Sequence, residues 1–368
     1  MIIKEPKYEI KGFSIVPSPV SNIDHRSEID TCTSICGRYC LPVFVAPMAN
    51  VTDEKNYKVW LKNKVTPVVP RSVQSNGLSF EDRLAIASDT FVSLSLTEAE
   101  GLYKYIGIGE GHKMYICIDI ANGHMKKMLT IAKKLKDKFG FQIGLMAGNI
   151  ANPEAYPYYC DAGIDWCRLS IGSGSRCTTS CAEGTHYPLG SLIDEVHSYK
   201  VKRENIGKFT TKIIADGGIN WFDIINKAIA LGADAVMMGE MFAKCWEACG
   251  EVRYAASEWD FENGPSYSVD EYNEAKKLLP ELYECHPYRM YAGMSHRSMQ
   301  KLTGGDGSKI SEGIVRPIEV VYHVEHLIEL IDWYLRGAMS YANAENIHDF
   351  KEYTTLCILG SGDSQYRK

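Results

Sequence analysis

One stretch, Arg168-Leu-Ser-Ile-Gly-Ser-Gly-Ser-Arg-Cys-Thr-Thr-Ser-Cys181, gathers the residue types that carry out covalent chemistry. An apolar run over 164–171 leads straight into Gly172-Ser173-Gly174-Ser175, where glycine permits positive φ and close approach of backbone to ligand. Successive N–H groups in such a loop cradle an oxyanion. They also favour the thiolate of Cys177, as does the charge of Arg176 beside it, and the thiolate is the form that attacks an electrophile. A cysteine taken alone is more often a small buried hydrophobe. The chemistry therefore depends on what else the chain sets beside this loop.

Other polar and glycine-rich motifs follow apolar runs in the same way. They are Pro47-Met48-Ala49-Asn50, Asp119-Ile-Ala-Asn122-Gly123-His124, Gly148-Asn149, Asp216-Gly217-Gly218 and Gly239-Glu240-Met241. The runs themselves, 41–47, 65–69, 91–96, 114–120, 142–147, 166–171, 211–215 and 235–238, read as strands buried on both faces. Segments such as 50–63, 125–139, 153–161 and 221–231 read as the helices between them. Eight strands alternating with helices predict an α/β fold, a (β/α)8 TIM barrel. An open doubly wound sheet is the alternative, but it wants its phosphate loop after an early strand, and here the glycine loops follow late ones. In a barrel the residues after each strand line the catalytic face. Paired glycines entering a helix after the seventh and eighth strands suit a phosphate, and Asp216 suits ribose hydroxyls, so the spacing points to a nucleoside monophosphate.

The totals set bounds. The chain has 368 residues, 45% hydrophobic and 23% charged, enough for a large soluble core as one barrel domain. A net charge of −6 without a basic stripe argues against nucleic acid, and no stretch approaches the length of a membrane span. No signal-peptide pattern opens the chain, so a cytoplasmic location is expected. The twelve cysteines are irregularly spaced and read as reduced thiols. Cys32/Cys36/Cys40, Cys177/Cys181 and Cys245/Cys249 lack the partners of a structural metal site. Residues 1–40 read as an arm, 251–290 as an acidic, aromatic excursion with a helix over 269–284, and about 300–318 as a Gly-rich lid. A helix over 321–338 and a polar tail complete the region 319–368.

Taken together the motifs resemble the IMP dehydrogenase and GMP reductase family. The matches are Ala46-Pro47-Met48, Asp119-Ile-Ala-Asn-Gly123, Met146-Ala-Gly-Asn149, Gly172-Ser-Gly-Ser-Arg-Cys-Thr-Thr179, Ala215-Asp-Gly-Gly218, Gly232-Ala-Asp234 with Met238-Gly239, Tyr291-Ala-Gly-Met-Ser295 and Ser311-Glu-Gly313. They fall in family order across most of residues 41–340. The resemblance implies a homotetrameric barrel that acts on a purine nucleotide through a covalent cysteine adduct and a nicotinamide cofactor. It implies Cys177 as nucleophile at purine C2, with Thr179 and Glu312 in acid–base work. Asp216 would hold the ribose, Ser175, Gly218, Gly239 and Tyr291 the phosphate, and Met294 and Ser295 the base, with Gly217, Glu240 and Gly293 among the substrate-binding residues. Asp119, Asn122, Gly123 and Asn149 would lie at the nicotinamide, and the carbonyls of Gly172, Gly174 and Cys177 would suit a monovalent cation such as K+.

The resemblance leans to the reductase branch, which implies NADPH-dependent reductive deamination of GMP to IMP and ammonia. No paired regulatory (CBS) domain fits between Arg71 and Phe91, and the loop reads Asp-Ile-Ala-Asn-Gly. The run 314–323 lacks the Arg-Tyr pair with which dehydrogenases activate water. The alternatives are a dehydrogenase or an enzyme of a variant purine nucleotide, and a catalytically silent nucleotide-binding barrel. Ala49, Arg176 and Glu240 depart from the family pattern and bear on which purine is taken.

Overall fold

Side chains alternate along the apolar runs, and the alternation decides which residue faces which layer. The computed structural model describes residues 3–71, 80–104, 113–174, 178–277, 284–293 and 313–360. The runs form parallel strands β1 (Val43–Val45), β2 (Thr66–Val69), β3 (Phe91–Leu94), β4 (Met114–Asp119), β5 (Ile143–Ile150), β6 (Trp166–Leu169), β7 (Lys212–Asp216) and β8 (Ala235–Met238). They pair in chain order and close, Val236 of β8 lying opposite Val43 of β1. The expected (β/α)8 TIM barrel is thus the architecture, and the open sheet is set aside.

One parity of each strand fills the interior. Phe44 stands edge-on to Trp166 and Phe91, with ring centroids 5.1 and 5.9 Å away, and Tyr115, Met146 and Ile214 complete the same cluster. The other parity, including Val45, Ile116, Leu145 and Leu169, packs outward under the helices. Burial on both faces is why these runs read as continuously apolar.

The covering helices are α1 (Tyr57–Lys62), α2 (Phe80–Ile86), α3 (Leu96–Leu102), α4 (Lys126–Phe139), α5 (Tyr156–Asp161), α6 (Thr179–Ala182), α7 (Leu189–Glu204) and α8 (Phe222–Ala230). The first is much shorter than the expected 50–63. Asp53 Oδ1 accepts the backbone N–H groups of Lys55 and Asn56, while the Asn56 amide donates to the Val51 and Glu247 carbonyls. Such side-chain-to-backbone bonds favour a turn over helix continuation.

After β8 come α9 (Glu240–Ala243), α10 (Glu258–Asn263) and α11 (Val269–Ala275), the last within the expected helix 269–284, of which residues 278–283 lie outside the described residues. The excursion also contains strands. β9 (Arg253–Ala255), β10 (Tyr267–Ser268), β11 (His286–Ala292) and β12 (Val315–Glu319) form an antiparallel sheet in the order β10-β9-β11-β12. The expected boundary at 290 falls inside β11. Ala292 pairs with Val315, and Gly293 N–H donates to the Ile314 carbonyl at 3.1 Å, so the chain leaves and re-enters the sheet at one point.

The helix expected over 321–338 is α12 (Val324–Tyr341). Its start is delayed because Val321 and Tyr322 N–H both donate to the Lys244 carbonyl, holding the chain extended. Then α13 (Ile347–Tyr353) follows, and its Lys351 meets a buried carboxylate. Asp234 accepts from Lys200 at 2.8 Å, Lys351 at 2.7 Å and Ile213 N–H at 2.7 Å. Burial pushes this carboxyl's pKa up, but the two ammonium groups outweigh it and hold the pKa well below the usual range.

The arm has more structure than its sequence suggests. Phe13–Val16 pairs antiparallel with Thr355–Ile358, and a hairpin of Thr33–Ile35 with Arg38–Cys40 precedes β1. Ile35 and Cys40 join the barrel's interior cluster and close its N-terminal end. Among the described residues no helix is long and apolar enough to cross a membrane.

Candidate active site

The parity that sends Cys117, Trp166 and Ile214 into the barrel sends Asp119, Arg168 and Asp216, each two residues further on, into its C-terminal mouth. Arg168 is 7% exposed and lies between two carboxylates. Its Nη1 donates to Asp119 Oδ1 at 2.6 Å, and its Nε and Nη2 donate to Asp216 Oδ2 at 3.0 and 2.9 Å. Asn149 Nδ2 donates to the same Asp216 oxygen at 2.8 Å. Burial works against the guanidinium charge, but Asp216 and Asp119 outweigh it and raise the arginine's pKa further. Below the cluster, burial pushes the Cys117 thiol up to about 12, so it stays protonated. Arg168 had no role in the sequence reading. The available signal was a charged residue at inward parity in the otherwise apolar Trp-Cys-Arg-Leu of β6.

The two glycine loops meet backbone to backbone. Gly217 and Gly218 have φ of +91° and +72°. A Cβ on Gly217 would lie 3.1 Å from Gly174 N, and one on Gly218 would lie 3.0 Å from the Ser173 carbonyl oxygen. Only glycine meets both the dihedral and the spacing without displacing the neighbouring loop. The Ser180 hydroxyl donates to the Gly172 carbonyl at 3.1 Å and folds the start of α6 back on the loop. Thr179 is the first residue of α6. Ser175, Arg176 and Cys177 lie outside the described residues, as do Met294, Ser295 and Glu312.

At the end of β8, a Cβ on Gly239 would sit 2.6 Å from both Met48 Sδ and Tyr291 Oη. Tyr291 is 4% exposed and its hydroxyl lies 3.3 Å from Met48 Sδ. The structure therefore brings Gly239, Tyr291 and the motif after β1 together, with Glu240 opening α9 beside them and Gly293 two residues beyond Tyr291.

On the opposite side of the mouth, Gly123 N–H donates to the Asn149 carbonyl at 2.8 Å, and Tyr159 Oη donates to the Gly123 carbonyl at 2.9 Å. A Cβ on Gly123 would collide with the Tyr159 hydroxyl and the Asn149 carbonyl. Asn122 Oδ1 accepts from His124 N–H, and His124 Nε2 accepts from Ala151 N–H at 3.0 Å; burial lowers the pKa of this imidazole, which suits an acceptor. Asn149 thus links the Asn122–Gly123 turn to Asp216.

Two buried polar atoms on these loops, Asn50 Oδ1 and Ser173 Oγ, have no partner among the described residues. Such atoms suit a polar ligand. Among the described residues no cluster of three or more His, Cys, Asp or Glu side chains could hold a metal ion. Of the carbonyls expected to suit a monovalent cation, those of Gly172 and Gly174 belong to described residues and that of Cys177 does not.

Comparison with known proteins gives the same pattern. A family model described as "IMP dehydrogenase / GMP reductase domain" matches residues 108–362. The inosine-5′-monophosphate dehydrogenase of Chlorobaculum parvum is 30% identical over 258 residues, 67% of this chain and 45% of that protein. The GMP reductase of Oceanobacillus iheyensis is 28% identical over 290 residues, 75% of this chain and 84% of that protein. The GMP reductase of Staphylococcus carnosus is 29% identical over 287 residues, with coverages of 74% and 84%. The chain spans about half the length of the dehydrogenases it matches.

Proposed function

The chain belongs to the IMP dehydrogenase / GMP reductase family of NAD(P)-dependent oxidoreductases of purine nucleotides, and on that premise we propose that it is the reductase, converting GMP to IMP and ammonia with NADPH. One observation carries the two-ligand part of this reading. A single guanidinium, Arg168, joins Asp119 to Asp216; on this reading the first serves the nicotinamide and the second the ribose. Two acids at one mouth, fixed in common, suit two diol- or amide-bearing ligands held edge to edge.

The chemistry follows from the residues. The Cys177 sulfur bonds to C2 of the purine, and the exocyclic amine takes a proton relayed by Thr179 and Glu312 and leaves as ammonia. C2 remains on sulfur as a thioimidate, and the sulfur departs as thiolate once C2 is reduced. The hydride that C2 receives is the chemistry the bound nicotinamide supplies. Asp216 keeps Oδ1 for the ribose, since Oδ2 already accepts from Arg168 and Asn149. Backbone N–H groups of Ser175, Gly217, Gly218, Gly239 and Glu240, with the Tyr291 hydroxyl, suit the phosphate. Gly293, Met294 and Ser295 serve the base, while Asp119, Asn122, Gly123 and Asn149 serve the nicotinamide. Carbonyls of Gly172, Gly174 and Cys177 suit K+, and a homotetramer is the assembly that goes with this reading.

The Asp119-Ile-Ala-Asn-Gly123 loop and the absence of an Arg-Tyr pair over 314–323 support the reductase. The dehydrogenase is the second reading, favoured by the identity to the Chlorobaculum parvum enzyme. Absorbance of the reduced nicotinamide decides between them. It should fall with GMP and NADPH and stay flat with IMP and NAD+; a rise with IMP and NAD+ makes the chain a dehydrogenase, and no change in either leaves only a nucleotide binder.

A further inference from the structure

The N-terminal arm touches the entry to the cysteine loop through one histidine. His186 follows α6, and its Nδ1 lies 3.1 Å from the Ile171 carbonyl oxygen, the last carbonyl before Gly172. Its Nε2 lies 2.6 Å from Glu9 Oε1. Each ring nitrogen thus faces one oxygen, a backbone carbonyl on one side and a carboxylate on the other. Glu9 is itself anchored, its second oxygen accepting from Leu189 N–H at 3.2 Å where α7 begins. On either side the arm is fixed to α7. Tyr8 N–H donates to Ser191 Oγ at 2.8 Å, Ser191 N–H donates to the Tyr8 carbonyl at 3.0 Å, and Lys7 pairs with Glu195 at 2.8 Å. A Cβ on Gly190 would lie 2.5 Å from the Phe13 ring, so the arm lies flush on the helix.

We propose that His186 and Glu9 are positioning residues, a strap that ties the Ile171 carbonyl to the anchored arm and so sets where the cysteine loop starts. The strap lets a segment remote in sequence control the presentation of Cys177. Its catalytic consequence rests on Cys177 being the nucleophile; its mechanical one does not.

Arg176 is the only Lys or Arg between Arg168 and Lys200, so trypsin reads this loop at one bond. The parent protein and the variants H186A, H186Q, H186N and E9A are compared by rate of cleavage at Arg176, followed by fragment mass, and by kcat and KM with GMP and NADPH. An asparagine amide reaches about where Nδ1 lies and keeps the Ile171 bond; a glutamine amide reaches about where Nε2 lies and loses it. H186N drops the Glu9 bond, H186Q the Ile171 bond, E9A the anchor and H186A both; each opens the strap, so all four should be cleaved about fivefold faster, the worth of a partly exposed charge-assisted bond. kcat should fall alongside, with KM little changed. A side chain that merely filled space would leave H186Q and E9A near the parent, so parental cleavage of either overturns the strap. So does an altered kcat without altered cleavage. If all four are cleaved faster and the parent turns over neither GMP nor IMP, the strap stands and the reductase reading falls.

Discussion

Arg168 carries more of the site than any side chain named for chemistry. It is buried, and it is the shared partner of Asp119 and Asp216. Substituting it by methionine keeps the volume and leaves two carboxylates facing each other without a cation. Breaking a buried ion pair from one side costs about 3 kcal/mol, so Arg168→Met should lower the unfolding free energy by that amount in urea titration. A loss under about 1 kcal/mol would mean the acids are solvated and not held by this residue. Asp216→Ala tests the nearer role. It should weaken nucleotide binding by about 1.5–3 kcal/mol in calorimetry, and unchanged affinity would place the ribose elsewhere. Cys177→Ser should abolish turnover and leave nucleotide binding within a few-fold, and comparable turnover would remove covalent chemistry. Most of these residues were visible in the sequence because each sits at the end of an apolar run. Arg168 was visible as a letter and not as a role, since its meaning depends on strand parity and on acids that lie 48 and 49 residues away along the chain.

The strands were legible because a barrel strand is apolar on both faces and bounded by turn formers. The antiparallel sheet of β9–β12 was not, because its first two strands have three and two residues and mix polar residues with aromatics. Such segments pair through backbone geometry and leave little periodicity to read. The glycine motifs were legible as ligand loops, but their mutual contact was not. That contact is tested by Gly218→Ala. A Cβ at φ +72°, 3.0 Å from the Ser173 oxygen, forces the loops apart and adds about 1–3 kcal/mol of strain, so nucleotide affinity should drop at least about tenfold in calorimetry while the circular dichroism stays that of the parent. Parental affinity would show that the two loops move independently.

Across the whole molecule, the Asp234 cluster joins the barrel to α13, close to the pairing of Phe13–Val16 with Thr355–Ile358. The carboxyl's folded pKa lies below its unfolded one, so its contribution is complete above the unfolded value of about 4 and is lost as pH falls through that range toward the folded value. Asp234→Asn leaves Lys200 and Lys351 without their counter-charge. It should cost about 3 kcal/mol at neutral pH in thermal or urea unfolding, with the gap to the parent closing as the solution is acidified. A gap that is constant with pH would show that packing, not charge, is what the aspartate supplies.

The hairpin under β1 has a consequence for traffic. Ile35 and Cys40 close the N-terminal end over an interior filled by Phe44, Phe91 and Trp166, so nothing passes along the barrel axis. What remains for approach is the face where the strands end. On the proposed function, nucleotide and dinucleotide share that face, and traffic across it is two-way. A product lingering there bars its successor.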